Sequence, residues 1–231
     1  MSTTAVLVFA LSSEEESKHK HFMDSGELSE KLTANSIRKA EAANLDCILY
    51  TEKQQKGNTF GQRFSNAMSS VFALGYDNVI VIGNDTPQLQ SKHIKEAHQR
   101  LQQNQPTIGP SLDGGFYLLA IAKDQFKANT FQTFDWQTNK IFSQVHQYIT
   151  IELNADQAQN TIHCLSAFYD LDHITGVKKV LAQLGASFKL ISTCLQKLIE
   201  ASILITRNSQ NLNATYFLAC FYNKGSPSCI H

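Results

Sequence analysis

Short, almost purely apolar runs alternate along this chain with longer stretches whose apolar residues recur every three or four positions. The runs Ala5–Ala10, Cys47–Thr51, Val79–Ile82, Thr107–Ile108 and Phe116–Ala122 predict strands. Helical periodicity predicts helices near Glu27–Asn44, Phe60–Leu74 and Ser91–Gln103. In the last of these, Ile94, Ala97, His98 and Leu101 fall at i, i+3, i+4 and i+7, and Ser91 is placed to cap the first turn. Strands alternating with helices predict an α/β fold, a Rossmann-like, mainly parallel sheet flanked by helices. From about Ala186 the pattern changes. Helical segments at Phe188–Ser202 and Thr215–Phe221 flank a polar N-S-Q-N-L-N-A-T stretch. This predicts a sheet domain over 1–185 and a C-terminal helical extension over 186–231, packed on it.

At 231 residues the chain has room for one large domain and an appendage. Lys plus Arg and Asp plus Glu number 20 each, so no global basic surface favours nucleic acid. Five scattered cysteines show no metal-ligand spacing, which predicts reduced thiols in a cytoplasmic protein rather than zinc or a disulfide framework. The chain enters a strand-like run at once, without a basic n-region, and no stretch of 18 uncharged apolar residues follows. A signal peptide and a membrane span are therefore not expected. The run Glu14–Glu16, followed by Lys18 to His21, reads as a solvated loop or helix start.

Chemistry concentrates where the apolar runs stop. Val79–Ile82 ends at Gly83-Asn84 and delivers Asp85, in G-N-D-T-P. Ligands of open α/β sheets bind beyond the carboxyl ends of strands, and a carboxylate there suits Mg²⁺ or Mn²⁺ shared with a phosphate. The plain structural alternative is a tight turn, with Pro87 opening a helix. A second run ends at Gly109-Pro110 and delivers Asp113, then Gly114 and Gly115, whose freedom admits a hairpin turn or a close ligand. Asp85 and Asp113 would follow neighbouring strands and face one cleft. Asp170 and Asp172, in F-Y-D-L-D-H, alternate along an extended segment and would point the same way, unless Asp172 merely caps the next helix. Arg63, opening a helix in G-Q-R-F, suits a phosphate, or else is an exposed first-turn arginine. Trp136 reads as core or lid packing ahead of a stacking platform. There is no G-x-S-x-G, no G-x-G-x-x-G after the first strand and no P-loop, which removes the hydrolase-elbow, dinucleotide and P-loop readings.

Several of these pieces together resemble an uncharacterised bacterial family of nucleotide-diphospho-sugar transferase-like proteins. That family is similar to A-type glycosyltransferases and to the guanylyltransferases of molybdenum-cofactor and phospholactate metabolism. The matching pieces are A-V-L-V-F-A, Gly61–Phe64, Val79–Leu89, Ile108–Leu119, Trp136–Thr138 and Asp170–Asp172. The resemblance implies a nucleotide or nucleotide-sugar site and a small-molecule acceptor. It implies a divalent Mg or Mn ion held by Asp85 and Asp172, with Asp113 and Gly114 at the substrate pocket. On this basis Asp113 is the candidate catalytic residue, and Arg63, Gly83, Asn84, Gly114 and Gly115 are the candidate nucleotide- or substrate-binding residues. Many relatives carry a basic P-G-x-x-K-T-R-L segment after the first strand, where Leu11–Glu16 reads L-S-S-E-E-E. In place of D-x-D-T-x-x-D-L stands D-L-D-H-I-T-G-V, with His173 and Gly176 substituted. These departures favour a two-phosphate donor, hence a metal-dependent glycosyltransferase-like enzyme. A nucleotidyltransferase and a non-catalytic nucleotide-binding relative are the alternatives. A phosphatase of the haloacid dehalogenase type fits poorly, because its nucleophile belongs on a first strand.

Overall fold

The computed structural model describes residues 2–19, 26–152, 161–171, 174–183, 191–197 and 199–200. Asp172, Cys220, Cys229, the junction at 185/186 and the helix expected at Thr215–Phe221 lie outside the described residues. In chain order the elements are β1 (Thr4–Phe9), α1 (Ser13–His19), α2 (Glu27–Glu41), β2 (Asp46–Tyr50), α3 (Phe60–Ala73), β3 (Asn78–Ile82), α4 (Ser91–Leu101), β4 (Thr107–Pro110), β5 (Phe116–Ala122), α5 (Ala128–Thr133), α6 (Ile141–Gln147), β6 (His163–Cys164) and α7 (Ile174–Gln183). The α/β architecture is as expected, and the five strands sought in the sequence all form.

The sheet runs β2-β1-β3-β5-β4-β6. Pairings β1–β2, β1–β3 and β4–β6 are parallel, whereas β5 runs antiparallel to both β3 and β4. The sheet is therefore mixed, because β4 and β5 form a hairpin in which β5 folds back between β4 and β3. Asp85 and Asp113 thus follow strands separated by β5, not adjacent ones. Since β5 is reversed, its first residues still lie at the same edge as the carboxyl ends of β3 and β4.

Period-two alternation sorts the strand residues onto two faces. Ala5, Leu7, Val79, Val81, Leu119 and Ile121 pack with Phe64, Met68 and Val71 of α3 and with Phe131 and Val145. Val6, Val8, Ile80, Ile82, Leu118 and Ala120 pack with Ile94, Ala97 and Leu101 of α4. Both faces are covered, so the central strands are apolar throughout instead of alternating with polar residues. Ser91 begins α4 but is not its cap. Gln90 holds that position, and its amide donates to His93 Nδ1 at 3.1 Å. Pro87 sits in a turn before the helix and not at its first position.

A third cluster joins Leu28 and Leu32 of α2 with Leu171, Val177 and Val180 of α7, and with Ile191 and Leu195. Among the described residues, no helix is long and apolar enough to cross a membrane.

Lys39 of α2 is buried, and its Nζ donates to the Pro87 carbonyl at 3.1 Å, tying α2 to the loop after β3. Burial pushes its ammonium down to about 7, with the like charge of Arg38 adding to the effect. In the unfolded chain the group returns to about 10.4, so the unfolded state binds more protons between those values. Stability conferred at this position therefore rises as pH goes from about 7 toward 10. We expect the difference in unfolding free energy between the native chain and Lys39→Met to change in that direction across this window. Urea denaturation at several pH values measures it, and a pH-independent difference would refute the assignment.

Candidate active site

The carboxyl edge of the sheet opens into a cavity of about 770 Å³. β3 ends at Ile82, and Gly83, Asn84 and Asp85 turn away along its wall. The Gly83 amide donates to the Tyr117 carbonyl at 3.3 Å, and its own carbonyl accepts from Ser36 Oγ. Asn84 is buried and faces inward, its Nδ2 donating to Thr33 Oγ1 at 2.9 Å and to Glu16 Oε2 at 3.3 Å. Asp85 is half-buried, with its carboxylate folded toward Gly83.

The segment after β6 is drawn to the same edge by a ladder of backbone bonds. Leu165 N donates to Ile108 O, Phe168 N to Pro110 O, and Leu112 N to Phe168 O. Leu171 N then reaches across to Asp85 O at 3.0 Å. This brings Asp170 into the cavity beside Asp85. Asp172, expected as the second metal ligand, lies outside the described residues, so Asp170 is the described carboxylate of that motif that lines the site.

Arg63 is in the first turn of α3, behind a capping box in which Thr59 Oγ1 accepts from Gln62 N at 3.2 Å. It lines the cavity with its guanidinium 5.9 Å from the Phe60 ring centre. Among the described residues, no carboxylate forms an ion pair with it.

Asp113 is exposed and does not line the cavity. Its Oδ1 accepts from Gly115 N at 2.9 Å, closing the β4–β5 turn, which is the hairpin alternative the sequence left open. Gly114 has φ +95°, and a Cβ there would collide with the backbone of Asn139. Its place in D-G-G is thus set by packing on the residues before α6. Gly115 does line the cavity.

Three acidic side chains outside the candidate site residues also line the cavity, two of them from the acidic segment that replaces the relatives' basic one. Glu15 and Glu16 of α1 and Glu52 after β2 join Asp85 and Asp170 around the cavity, with Arg63 as the one cation among the described lining residues. Glu16 is only 4% exposed, and its Oε2 accepts from both Ser29 Oγ at 2.5 Å and Asn84 Nδ2 at 3.3 Å. The solvated reading of Glu14–Glu16 therefore fails for Glu16. Glu52 accepts from Ser12 N at 2.8 Å and from Ser12 Oγ at 2.9 Å, hydrogen bonds that hold its carboxyl below the usual range against the opposing effect of burial. The missed signal is the S-x-x-E spacing of Ser12 and Glu15, a capping-box pattern that starts α1.

The opposite wall is aromatic. Trp136 packs at 4.5 Å from Phe64, 5.1 Å from Phe60 and 5.9 Å from Phe116, measured between ring centres. Its Nε1 donates to Phe131 O at 2.6 Å. Gly61 makes room for it, since a Cβ there would lie 2.7 Å from the indole Cδ1. Packing is the role foreseen for Trp136, and the ring also borders the cavity. Gly61→Ala is expected to displace the indole and cost about 1–3 kcal/mol, as overpacking does. A shift in emission of the single tryptophan, alongside chemical denaturation, measures both; unchanged emission would contradict the contact.

A model of the family described as "Uncharacterized protein conserved in bacteria (DUF2064)" matches residues 23–138, just over half of the chain. No curated protein matches it. Among solved structures, the chain is similar to a candidate nucleotide-diphospho-sugar transferase from Desulfovibrio desulfuricans G20. The two are 21% identical, with 87% of this chain and 98% of that one covered and a TM-score of 0.71. A Mycobacterium tuberculosis H37Rv protein solved with manganese is 10% identical, covering 79% of this chain and all of the other (100%), at a TM-score of 0.43. A synthetase of CMP-2-keto-3-deoxy-manno-octonic acid, solved with CTP, is 10% identical over 79% of this chain and 97% of that one, at 0.38. The first likeness shows a shared fold. The other two are too distant to bear on function.

Proposed function

This chain belongs to the bacterial DUF2064 family, and from that premise we propose that it is a divalent-cation-dependent transferase using a nucleotide-sugar donor. The observation that carries this reading is the meeting of Asp85 and Asp170 at one cavity edge, drawn together by the Leu171–Asp85 backbone bond. Their carboxylates are hard oxygen donors of the kind Mg²⁺ and Mn²⁺ accept. Among the described residues, no group of three or more His, Cys, Asp or Glu could hold a metal by itself. That suits an ion whose shell is completed by donor phosphates and water, as is usual for Mg²⁺. Asp172 is proposed as a further ligand on the resemblance alone.

When bound, such a cation supplies charge neutralisation to the leaving diphosphate. Arg63, at the start of α3, would meet a phosphate or the diphosphate as it departs. Gly83 and Gly115 line the cavity with their backbone groups already bonded within the protein, and Asn84 is held by Glu16 and Thr33 in one orientation. The acceptor hydroxyl attacks the anomeric carbon, the bond to the diphosphate oxygen breaks, and the hydroxyl proton passes to a cavity carboxylate. Asp113 is engaged in the hairpin turn and off the cavity wall, so Glu15 is better placed for that proton than Asp113. A nucleotidyltransferase acting on a triphosphate is disfavoured by the acidic α1, which stands where added phosphates would need cations.

The test is thermal unfolding with a panel of nucleoside triphosphates, diphosphates and nucleotide sugars, each with and without Mn²⁺. A specific ligand at a hundredfold excess over its Kd stabilises by about 2.7 kcal/mol, roughly 5–10 °C in Tm for a chain this size. We expect a nucleotide sugar to do so only with Mn²⁺, and Asp85→Asn to abolish the shift while leaving the ligand-free Tm near the native value. A shift from triphosphates alone would favour nucleotidyl transfer, and no shift from any member would remove the reading.

A further inference from the structure

Trp136 and Gln137 form a small rigid unit on the cavity wall opposite the acidic edge. Both line the cavity, and three features make them unusual. The indole nitrogen is already committed to Phe131 O, so only the ring face remains to offer a ligand. Gly61 gives up its Cβ space to that ring, and Phe60, Phe64 and Phe116 buttress it on the core side. Gln137, directly after it, has φ +60°, a left-handed conformation that is costly for a residue with a Cβ.

That conformation is held from several sides. Trp136 N donates to Phe134 O at 2.8 Å, Thr138 Oγ1 to Asp135 O at 2.6 Å, and Asp135 N to Gln144 Oε1 at 2.7 Å. Glycine would adopt the same backbone without strain. Gln137 is exposed and borders the cavity, so its position gives the wall a side chain that a glycine would lack.

A flat apolar face beside a group that both donates and accepts hydrogen bonds matches a pyranose ring, which presents C–H bonds on one face and hydroxyls around its rim. A nucleobase would gain from the face as well. The diphosphate, however, belongs with the proposed cation at Asp85 and Asp170, and the carboxamide suits hydroxyls. We infer that Trp136 and Gln137 are the sugar-recognition platform of this site, the indole face stacking on a hexose ring and the Gln137 carboxamide bonding its hydroxyls. The inference rests on the nucleotide-sugar reading for its donor, while the platform itself can be probed with free sugar.

The chain contains a single tryptophan, so its emission reports on this platform alone. Emission is followed during titration with a nucleoside diphosphate, the matching nucleotide hexose, both with Mn²⁺, and free hexoses and N-acetylhexosamines. The nucleotide hexose is expected to change the emission, and the diphosphate to raise Tm while leaving it unchanged. Equal changes from both would place the base on the indole and overturn the inference. A Tm shift from the nucleotide hexose with silent emission would overturn it too. If no nucleotide shifts Tm but a free sugar changes the emission, the platform stands and the donor reading falls. If free sugars are silent as well, both fall.

Gln137→Gly relieves the backbone strain and should unfold no more easily than the native chain. It is expected to bind the nucleotide hexose roughly tenfold more weakly, with the diphosphate unaffected. A merely structural glutamine would leave that ratio unchanged. Trp136→Phe keeps a ring in the packed wall and serves as the second variant, with a smaller loss expected for the sugar-bearing ligand only.

Discussion

The amide of Leu171 donates to the carbonyl of Asp85, and through that bond a late segment of the chain reaches the edge of a central strand. One such bond contributes only about 0.5–1.5 kcal/mol net. The burial of Leu171 among Leu28, Leu32, Val177 and Val180 adds about 1.5–3 kcal/mol more. Apolar burial therefore fixes the segment, and the hydrogen bond sets its register. Asp170, the residue before this anchor, is carried to the cavity as a consequence. Both carboxylates of the proposed cation site depend on packing beneath them that carries no charge.

Electrostatics gives the cavity a division of labour. Glu15, Glu16, Glu52, Asp85 and Asp170 gather at one side, with Arg63 and the aromatic wall at the other. Bringing so many carboxylates to one cleft is unfavourable unless hydrogen bonds or counter-charges offset their repulsion. Ser12 and Ser29 supply part of that compensation for Glu52 and Glu16. Glu15 is paired with Lys18. An anionic donor could enter such a cleft only with cations beside it, which is why the two-phosphate, metal-bridged reading is preferred to a triphosphate. Lys39 stands behind the Asp85 loop, where its Nζ donates to the Pro87 carbonyl and supports the loop's backbone.

Much of the scaffold was legible in the sequence. The five strands stood out because burial on both faces demands continuous apolar runs, and α4 because Ile94, Ala97 and Leu101 repeat at helical spacing. Asp85 was legible because it follows such a run directly. β6 was not, since it is two residues long and is defined by pairing with β4 and not by its own composition. The order of β4 and β5 was also hidden. Reversing a strand in a hairpin leaves its apolar pattern unchanged, and only the sheet reveals which neighbour it takes.

Local pattern by itself determined where strands and helices form, where each strand ends, and which polar residues stand at those ends, because these follow from the chain's own periodicity and turn chemistry. Tertiary structure decided which ends meet. It made Asp113 a turn residue, buried Glu16 behind Asn84, carried Asp170 to Asp85 and set Trp136 over Gly61. Each of those outcomes depends on contacts between residues far apart in sequence, and the energy that selects them arises only when the packed faces close against one another.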